Sequence, residues 1–508
     1  MANINPKILS IQDLANQLDV TRQNKKIVLC HGVFDLLHIG HIKYFETAKS
    51  EGDLLIVTVT PDRYVNKGPE RPVFSENLRC EAIAALSVVD YVALNIWPTA
   101  VETIRLLKPD VYAKGSEYKD IKKDITGKIG EEENAIKSIG GSIIFTDDIV
   151  FSSSQLINKN FSTFPEETRE FLTQFSNHHS SGKVIQFLKN AEKLKVLVIG
   201  ETIIDEYNYC EPIGMTTKDP IIAVRYLAKE KFAGGTLAAA NHLANFCHSV
   251  GIITMLGEYE TDEKYVRENL NEKIRPLFFY KKNSPTILKR RFIDNYLSQK
   301  LFELHEINDT EIDKEEVAAL NEILESEIPK YDLVIVIDYG HGMLTKELIT
   351  TICRDSKYLA VNTQSNAGNR GFNVISKYHK ADFICLNHSE LNLEERNRNC
   401  EIKDSISNVS KKISCPRVLI TRGRFGNVFY DNKDGFVETP AFATQVIDRM
   451  GAGDAVISLS SLCAFQNASN DVIGFIANVI ASQAVATVGH RKSIEPVPLY
   501  KHINTLMK

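Results

Sequence analysis

The sequence predicts an α/β protein made of two doubly wound domains. Three observations carry that expectation. The chain has 508 residues, more than one ordinary hydrophobic core accommodates. Short apolar runs of the kind that form buried parallel strands alternate with helical stretches from Lys26 to about Ile157. The alternation then starts afresh at Lys195-Val196-Leu197-Val198-Ile199-Gly200. On this reading residues 1–159 form a first domain, 160–194 a helical linker and 195–508 a second domain.

The elements follow in order. Lys26-Ile27-Val28-Leu29-Cys30 is too short for a buried helix and reads as a central strand, and from Ile39 the apolar spacing turns helical. Asp53–Val59, Tyr91–Leu94, Val111–Ala113 and Ile143–Phe145 are the next strands, with helical stretches between them. The polar stretch Asn160–Lys195 has Pro165-Glu166-Glu167 placed as a helix start and His178-His179-Ser180-Ser181-Gly182 as a break between two helices. That histidine pair has no other ligand nearby and reads as a solvated turn.

Composition excludes several classes. A formal charge of −5, with Lys and Arg scattered among acids, leaves no basic field for nucleic acid. No segment has the roughly 18 uninterrupted apolar residues of a membrane span, and the N-terminus lacks a signal pattern. Nine dispersed cysteines without a CxxC pair read as reduced thiols, which points to the cytosol. No second copy of the first motif appears, so the second half is not a repeat of the first.

The first motif is His31-Gly32-Val33-Phe34-Asp35-Leu36-Leu37-His38-Ile39-Gly40-His41, on a strand-to-helix turn. There the free N–H groups and the positive helix end favour an anion, and Gly40 lets the backbone approach it. His38 and His41 can donate to phosphate oxygens, and Asp35 can order the loop or assist a metal. Two histidines alone would equally well cap a helix; the flanking Gly-Val-Phe-Asp and the strand after the helix favour a site. The segment resembles the HxGH nucleotidyltransferases of the cytidylyltransferase-like superfamily, Rossmann-like enzymes that join a nucleoside monophosphate to a phosphorylated small molecule.

Such chemistry requires cations from other loops to neutralise the triphosphate. Lys67-Gly68-Pro69-Glu70-Arg71, then Arg79, then Lys114-Gly115-Ser116-Glu117-Tyr118 and Phe151-Ser152-Ser153-Ser154 stand in order. Over roughly residues 25–160 the order resembles the adenylyltransferase half of bifunctional heptose-phosphate kinase/adenylyltransferases. That resemblance implies nucleotide contacts from Gly32, Phe34, Asp35 and Gly40, transition-state stabilisation by His38 and His41, and phosphate contacts from Lys67, Arg71 and Arg79. It also implies Lys114 near the acceptor phosphate, and Ser152, Ser153 and Ser154 around the triphosphate. Ser116-Glu117 and the triple serine depart from the family pattern, so ATP and CTP are both open.

The second motif is Asp448-Arg449-Met450-Gly451-Ala452-Gly453-Asp454, followed by helical spacing. Gly451, Ala452 and Gly453 present N–H groups at a helix start, and Asp454 is placed to take a proton from an attacking hydroxyl. The motif resembles that of ribokinase-like (PfkB) sugar kinases, over about residues 195–495. The resemblance implies a nucleotide loop at Thr421, Gly423 and Gly426, an Asn387/Glu390 pair tied to Mg²⁺ and phosphate through water, and sugar contacts from Asp205, Gly234 and Gly235. Ala238 stands where an acceptor-binding asparagine is expected, with Asn241 one turn on as a substitute, and Asn362-Thr363-Gln364 replaces Asp-Pro-Lys.

Together these imply a bifunctional enzyme of nucleotide-sugar synthesis, with domain order inverted relative to the heptose enzyme. The second domain would phosphorylate a heptose-like sugar or sugar phosphate with ATP at the anomeric hydroxyl. The first would then transfer AMP, or CMP, and release pyrophosphate. Mg²⁺ is expected at both sites, and a homodimer through the kinase domain. Two alternatives stand beside this: a cytidylyltransferase for a polyol phosphate with its own kinase, and a transferase fused to a non-catalytic regulatory module.

Overall fold

A computed structural model describes residues 5–22, 24–69, 71–115, 128–146, 164–397 and 399–508. Ser152, Ser153, Ser154, Ser116 and Glu117 lie outside the described residues. The chain forms two compact units, one of residues 1–164 with 497–508 and one of residues 165–496. The helix Pro496–Leu506, assigned above to the end of the second domain, thus groups with the first unit. The stretch expected as a linker enters the second unit as the helices Glu166–His178 and Ser181–Asn190. Phe175 stacks on Phe475 at 4.3 Å, which fastens the first of them. His179 is no solvated turn residue; its Nε2 lies 2.6 Å from the Asp471 carboxylate.

The first unit carries a six-stranded sheet. Its strands are β1 (Ile8–Leu9), β2 (Ile27–Gly32), β3 (Leu54–Val59), β4 (Tyr91–Leu94), β5 (Val111–Gly115) and β6 (Ser142–Thr146), in the order β1-β4-β3-β2-β5-β6. All pairings are parallel. Parallel strands covered on both faces bury every side chain, and Leu54–Val59 is buried throughout. The helix Ile11–Thr21, capped by the Ser10 side chain, lays Leu14 and Leu18 on one face, while Phe45 and Ile83 belong to the core of the other. From β2 the chain winds one way to β3 and β4 and later the other way to β5 and β6. The order reverses between β2 and β5, where open α/β sheets bind ligands at their carboxyl ends.

The second unit is built on a mixed sheet. β7 (Lys195–Met215) pairs through its first half with β9 (Ser249–Tyr259) and β13 (Leu333–Asp338), both parallel. Beyond β9 lies β10 (Ile274–Pro285); beyond β13 follow β14 (Leu359–Thr363), β15 (Phe383–Asn387), β16 (Arg417–Thr421), β17 (Asn427–Asp431) and β18 (Gly435–Thr439). The second half of β7 runs on with β8 (Ile222–Gly235), antiparallel, and β11 (Ile287–Asp294), parallel, and β12 (Lys300–Glu306) closes that smaller sheet. The order reverses between β7 and β13, and a core from Leu197 to Val428 packs under this edge. Among the described residues no helix is long and apolar enough to cross a membrane.

Candidate active sites

In the first unit the turn after β2 is shaped by Phe34, a non-glycine residue at φ +50° whose ring covers Gly32. A Cβ on Gly32 would meet Phe34 Cζ at 2.9 Å, so glycine is needed for the ring to sit there. Asp35 is buried; its Oδ1 accepts from the N–H groups of Val73 (2.7 Å) and Phe74 (3.2 Å), and Arg71 lies 3.6 Å from its Oδ2. Asp35 therefore orders the loop that carries Lys67 and Arg71.

His38 caps the helix Ile39–Ser50 by accepting from Gly40 N at 3.1 Å through Nδ1. Burial lowers its pKa, so the neutral ring holds its proton on Nε2. That atom is buried and without a partner among the described residues, as is Nδ1 of His41. The two rings stack at 3.9 Å. Burial, then His38 and Lys67, push His41 down to about 3, against a hydrogen bond with the Leu36 backbone. Two buried imidazole nitrogens thus open onto one turn at the reversal of strand order. Lys67 is pushed down to about 8, first by burial and then by the positive charge of Lys508, Arg71 and Lys501.

Two expected cations are otherwise engaged. Arg79, expected at a phosphate, is buried and donates to the carbonyls of Phe74 (3.0 Å) and Thr60 (2.9 Å), to that of Val33, and to Asp62. With donors on three backbone carbonyls and the Asp62 carboxylate, it ties the Val33 turn to the Phe74 loop. Lys114, at the end of β5, pairs at 2.8 Å with Glu132, a buried acid not foreseen from the sequence. Burial raises the Glu132 pKa, but Lys114 and the Tyr112 hydroxyl at 3.0 Å outweigh it and hold the carboxylate charged.

In the second unit Gly451 stands at φ +75° before the helix Ala452–Phe465; a Cβ there would lie 2.1 Å from His490 Cε1. Asp454, in the first turn, is buried. Its Oδ1 accepts from the Tyr339 hydroxyl and from Gln364 Nε2, both at 2.7 Å, and its Oδ2 lies 4.0 Å from His490 Nε2. Burial raises its pKa, opposed by His490, Tyr339 and Gln364. Next to Gly453 a Cβ would find only Gln364 Nε2, at 4.0 Å, so the helix start is open. Ala452 begins the same turn.

Asp205 is buried on β7, ion-paired with Arg291 and 3.8 Å from His490, which places it on the same ring as Asp454. A Cβ on Gly234 would collide with Asp205 Oδ2, and Gly235 adopts φ +57° beside Tyr339. Beside this ring opens a cleft lined among others by Lys231, Ala238, Asn241, His490, Arg491 and Lys492. Asn241 lines it with both amide ends engaged, donating to Asn269 O and accepting from Asn271 N, each at 2.9 Å.

Asn387 and Glu390 form a capping box on the helix His388–Glu395. Glu390 Oε2 accepts from Asn387 N (2.9 Å) and Oε1 from Ser365 N (3.3 Å). Burial pushes this acid up to about 7. With both oxygens on backbone donors, it fits Mg²⁺ held through water rather than directly. Thr421 ends β16, and the loop after it turns on Gly423 (φ +58°) and Gly426 (φ +77°), the latter packed against Thr439 O. Among the described residues no group of three or more His, Cys, Asp or Glu side chains is placed to hold a metal.

Tyr339, His490 and Arg291 were not foreseen from the sequence. Gln364 was noted there only as a departure. Its signal was the break in an expected Asp-Pro-Lys; Arg291 and Tyr339 lie 86 and 115 residues from Asp205 and Asp454, and His490 stands in no motif.

Comparison with known proteins finds two families in the chain. Residues 29–204 match the cytidylyltransferase-like family model, and residues 193–496 match the pfkB family carbohydrate kinase model. The protein "Bifunctional protein HldE" of Helicobacter pylori (strain G27) is 38% identical over 156 residues, 30% of this chain and 31% of that protein. That of Syntrophotalea carbinolica is 38% identical over 144 residues, 28% of each. The aligned stretches lie in the N-terminal region, so the similarity spans about a third of these relatives. Escherichia coli phosphofructokinase-2, solved with substrates and products, superposes with a TM-score of 0.50 at 15% identity, covering 62% of this chain and 100% of that one. At that identity the likeness concerns the fold alone.

Proposed function

The chain belongs to the pfkB family of carbohydrate kinases, and on that premise we propose that it makes a nucleotide-activated sugar in two steps. The second unit phosphorylates a heptose-like sugar phosphate at its anomeric hydroxyl with ATP. The first unit transfers AMP, with CMP as the alternative, onto the new phosphate and releases pyrophosphate. A sugar already carrying a terminal phosphate needs a phosphatase between the steps. The observation that carries the reading is the pairing, in one chain, of two helix-start turns with different reactive groups: neutral stacked imidazoles in one, a buried carboxylate in the other.

In the kinase step Tyr339 and Gln364 hold Oδ1 of Asp454. Oδ2 is left to take the proton from the attacking sugar hydroxyl as its oxygen bonds to the γ-phosphorus and ADP leaves. The N–H groups at Ala452–Asp454 face the charge on the transferred group. Mg²⁺, carried with the nucleotide and reached from Glu390 through water, supplies charge screening when bound. The basic side chains of the cleft, Lys231, Arg491 and Lys492, support a substrate that brings its own phosphate, although Lys231 already pairs with Asp262 and Arg491 with Glu230.

In the transfer step an oxygen of the sugar phosphate attacks the α-phosphorus and pyrophosphate departs. The Nε2–H of His38 and the ring of His41 contact the oxygens where charge accumulates, and Lys67 and Arg71 offset the triphosphate. We further propose a cytosolic homodimer joined through the kinase unit, in keeping with nine free cysteines. The test is mass spectrometry of products from ATP or CTP with a panel of heptoses, their phosphates and polyols. A nucleoside diphosphate sugar is the expected product. A polyol product would favour the cytidylyltransferase alternative, and no ADP from any acceptor would favour a regulatory second unit.

A further inference from the structure

The helix Pro496–Leu506 follows the kinase unit in sequence, yet residues 497–508 pack within the first unit. Its apolar residues Leu499, Ile503 and Leu506 are buried at the i, i+4, i+7 spacing of one helix face. Of the polar residues on this helix, His502 meets the loop that carries Lys67 and Arg71. His502, 4% exposed, sits against Gly68, where a Cβ would meet its Cδ2 at 2.5 Å and its Nε2 at 2.8 Å. Gly68 has φ +103°, a conformation that side chains rarely adopt, so the loop takes this path against the imidazole only with glycine there.

We propose that the segment Val497–Lys508 is a working part of the nucleotidyltransferase site: His502 positions the Lys67–Arg71 loop, and Lys501 and Lys508 add positive charge where the triphosphate is gathered. The proposal rests on the reading that the first unit takes a nucleoside triphosphate. The electrostatics agree with the geometry. Lys508 and Lys501 are among the charges that depress Lys67, and burial followed by the nearby Arg71 pushes His502 down to about 4, leaving a neutral ring that adds no repulsion. A polyanion relieves the mutual repulsion of such a cluster, so each lysine strengthens binding without touching the reacting phosphorus. His502 is accordingly a positioning residue, not a catalytic one.

The test uses the full chain with the Lys501→Ala/Lys508→Ala double variant, His502→Ala and His502→Gln. One readout is pyrophosphate release, which the kinase step does not produce. The other is amine labelling of Lys67 read by mass spectrometry, with inorganic tripolyphosphate as the protecting anion. In the lysine double variant the triphosphate KM and the half-protecting tripolyphosphate concentration should each rise at least about fivefold, with kcat and ADP formation within about twofold of the parent. His502→Ala should raise KM similarly and His502→Gln should restore most of it. Unchanged KM and unchanged Lys67 protection in the double variant would overturn the inference, as would a parent whose Lys67 tripolyphosphate does not protect. If protection shifts as expected while no nucleotide yields pyrophosphate, the anion site stands and the transfer reading falls.

Discussion

Gln364 donates its amide to Asp454 Oδ1 at 2.7 Å, on the oxygen that also receives the Tyr339 hydroxyl. A residue that breaks the family's pattern in sequence therefore sits on the proposed base. It turns the carboxylate so that the other oxygen is available. Both donors favour the charged form, against the burial that raises the pKa. Removing either, in Gln364→Leu or Tyr339→Phe, should raise that pKa further. The base then stays protonated to higher pH, so the acid limb of the ADP-formation profile should move to higher pH. An unmoved limb would separate these donors from the base.

Asp454→Asn keeps the shape and removes the proton acceptor. ADP formation should fall by about 10²–10⁴. Pyrophosphate release from a supplied sugar 1-phosphate should remain, and the two rates are measured on the same preparation.

His41→Ala removes one of the two stacked imidazoles. The transfer rate should drop by about two or more orders of magnitude, for a lost transition-state contact of roughly 3–4 kcal/mol. Because burial holds His41 down near 3, the ring is neutral across the physiological range, and its titration should leave no step in the transfer profile between pH 6 and 8.

Arg79 and Lys67 should separate scaffold from site. Arg79→Ala leaves the carbonyls of Val33, Phe74 and Thr60 without a donor and should cost at least about 2 kcal/mol, seen as a lowered Tm of the first unit. Lys67→Ala should leave Tm nearly unchanged and raise the triphosphate KM.

Gly451→Ala places a methyl 2.1 Å from His490 Cε1 at a left-handed position. ADP formation should fall at least about tenfold with the transfer rate intact, checked by the same paired assay.

The strands around both sites could be read from the sequence because buried parallel strands are nearly continuous apolar runs. Lys26–Cys30 and Tyr91–Leu94 announce themselves in that way. The helix Ile11–Thr21 and β1 did not, since their polar residues hide a short apolar face that only the sheet makes useful. The turns that carry His38, His41 and Asp454 stand out in the sequence because a turn and its polar side chain are neighbours in the chain. The partners of Arg79 are hidden for a related reason. A basic residue at the right spacing looks the same in sequence whether its donors face solvent-borne phosphate or backbone carbonyls. Glu132, Tyr339 and His490 are set by strand order, which brings together residues that no local pattern joins.

The return of residues 497–508 to the first unit has a consequence for synthesis on the ribosome. N-terminal domains commonly fold as they emerge, at about 5–20 residues per second. Here roughly 330 further residues must be made before the helix that packs with the first unit exists. The first unit therefore waits on the order of 20 to 60 s with the surface for Leu499 and Ile503 uncovered. The residues made in that interval are those of the kinase unit itself, so the first unit gains its last element only after the whole kinase unit has been translated.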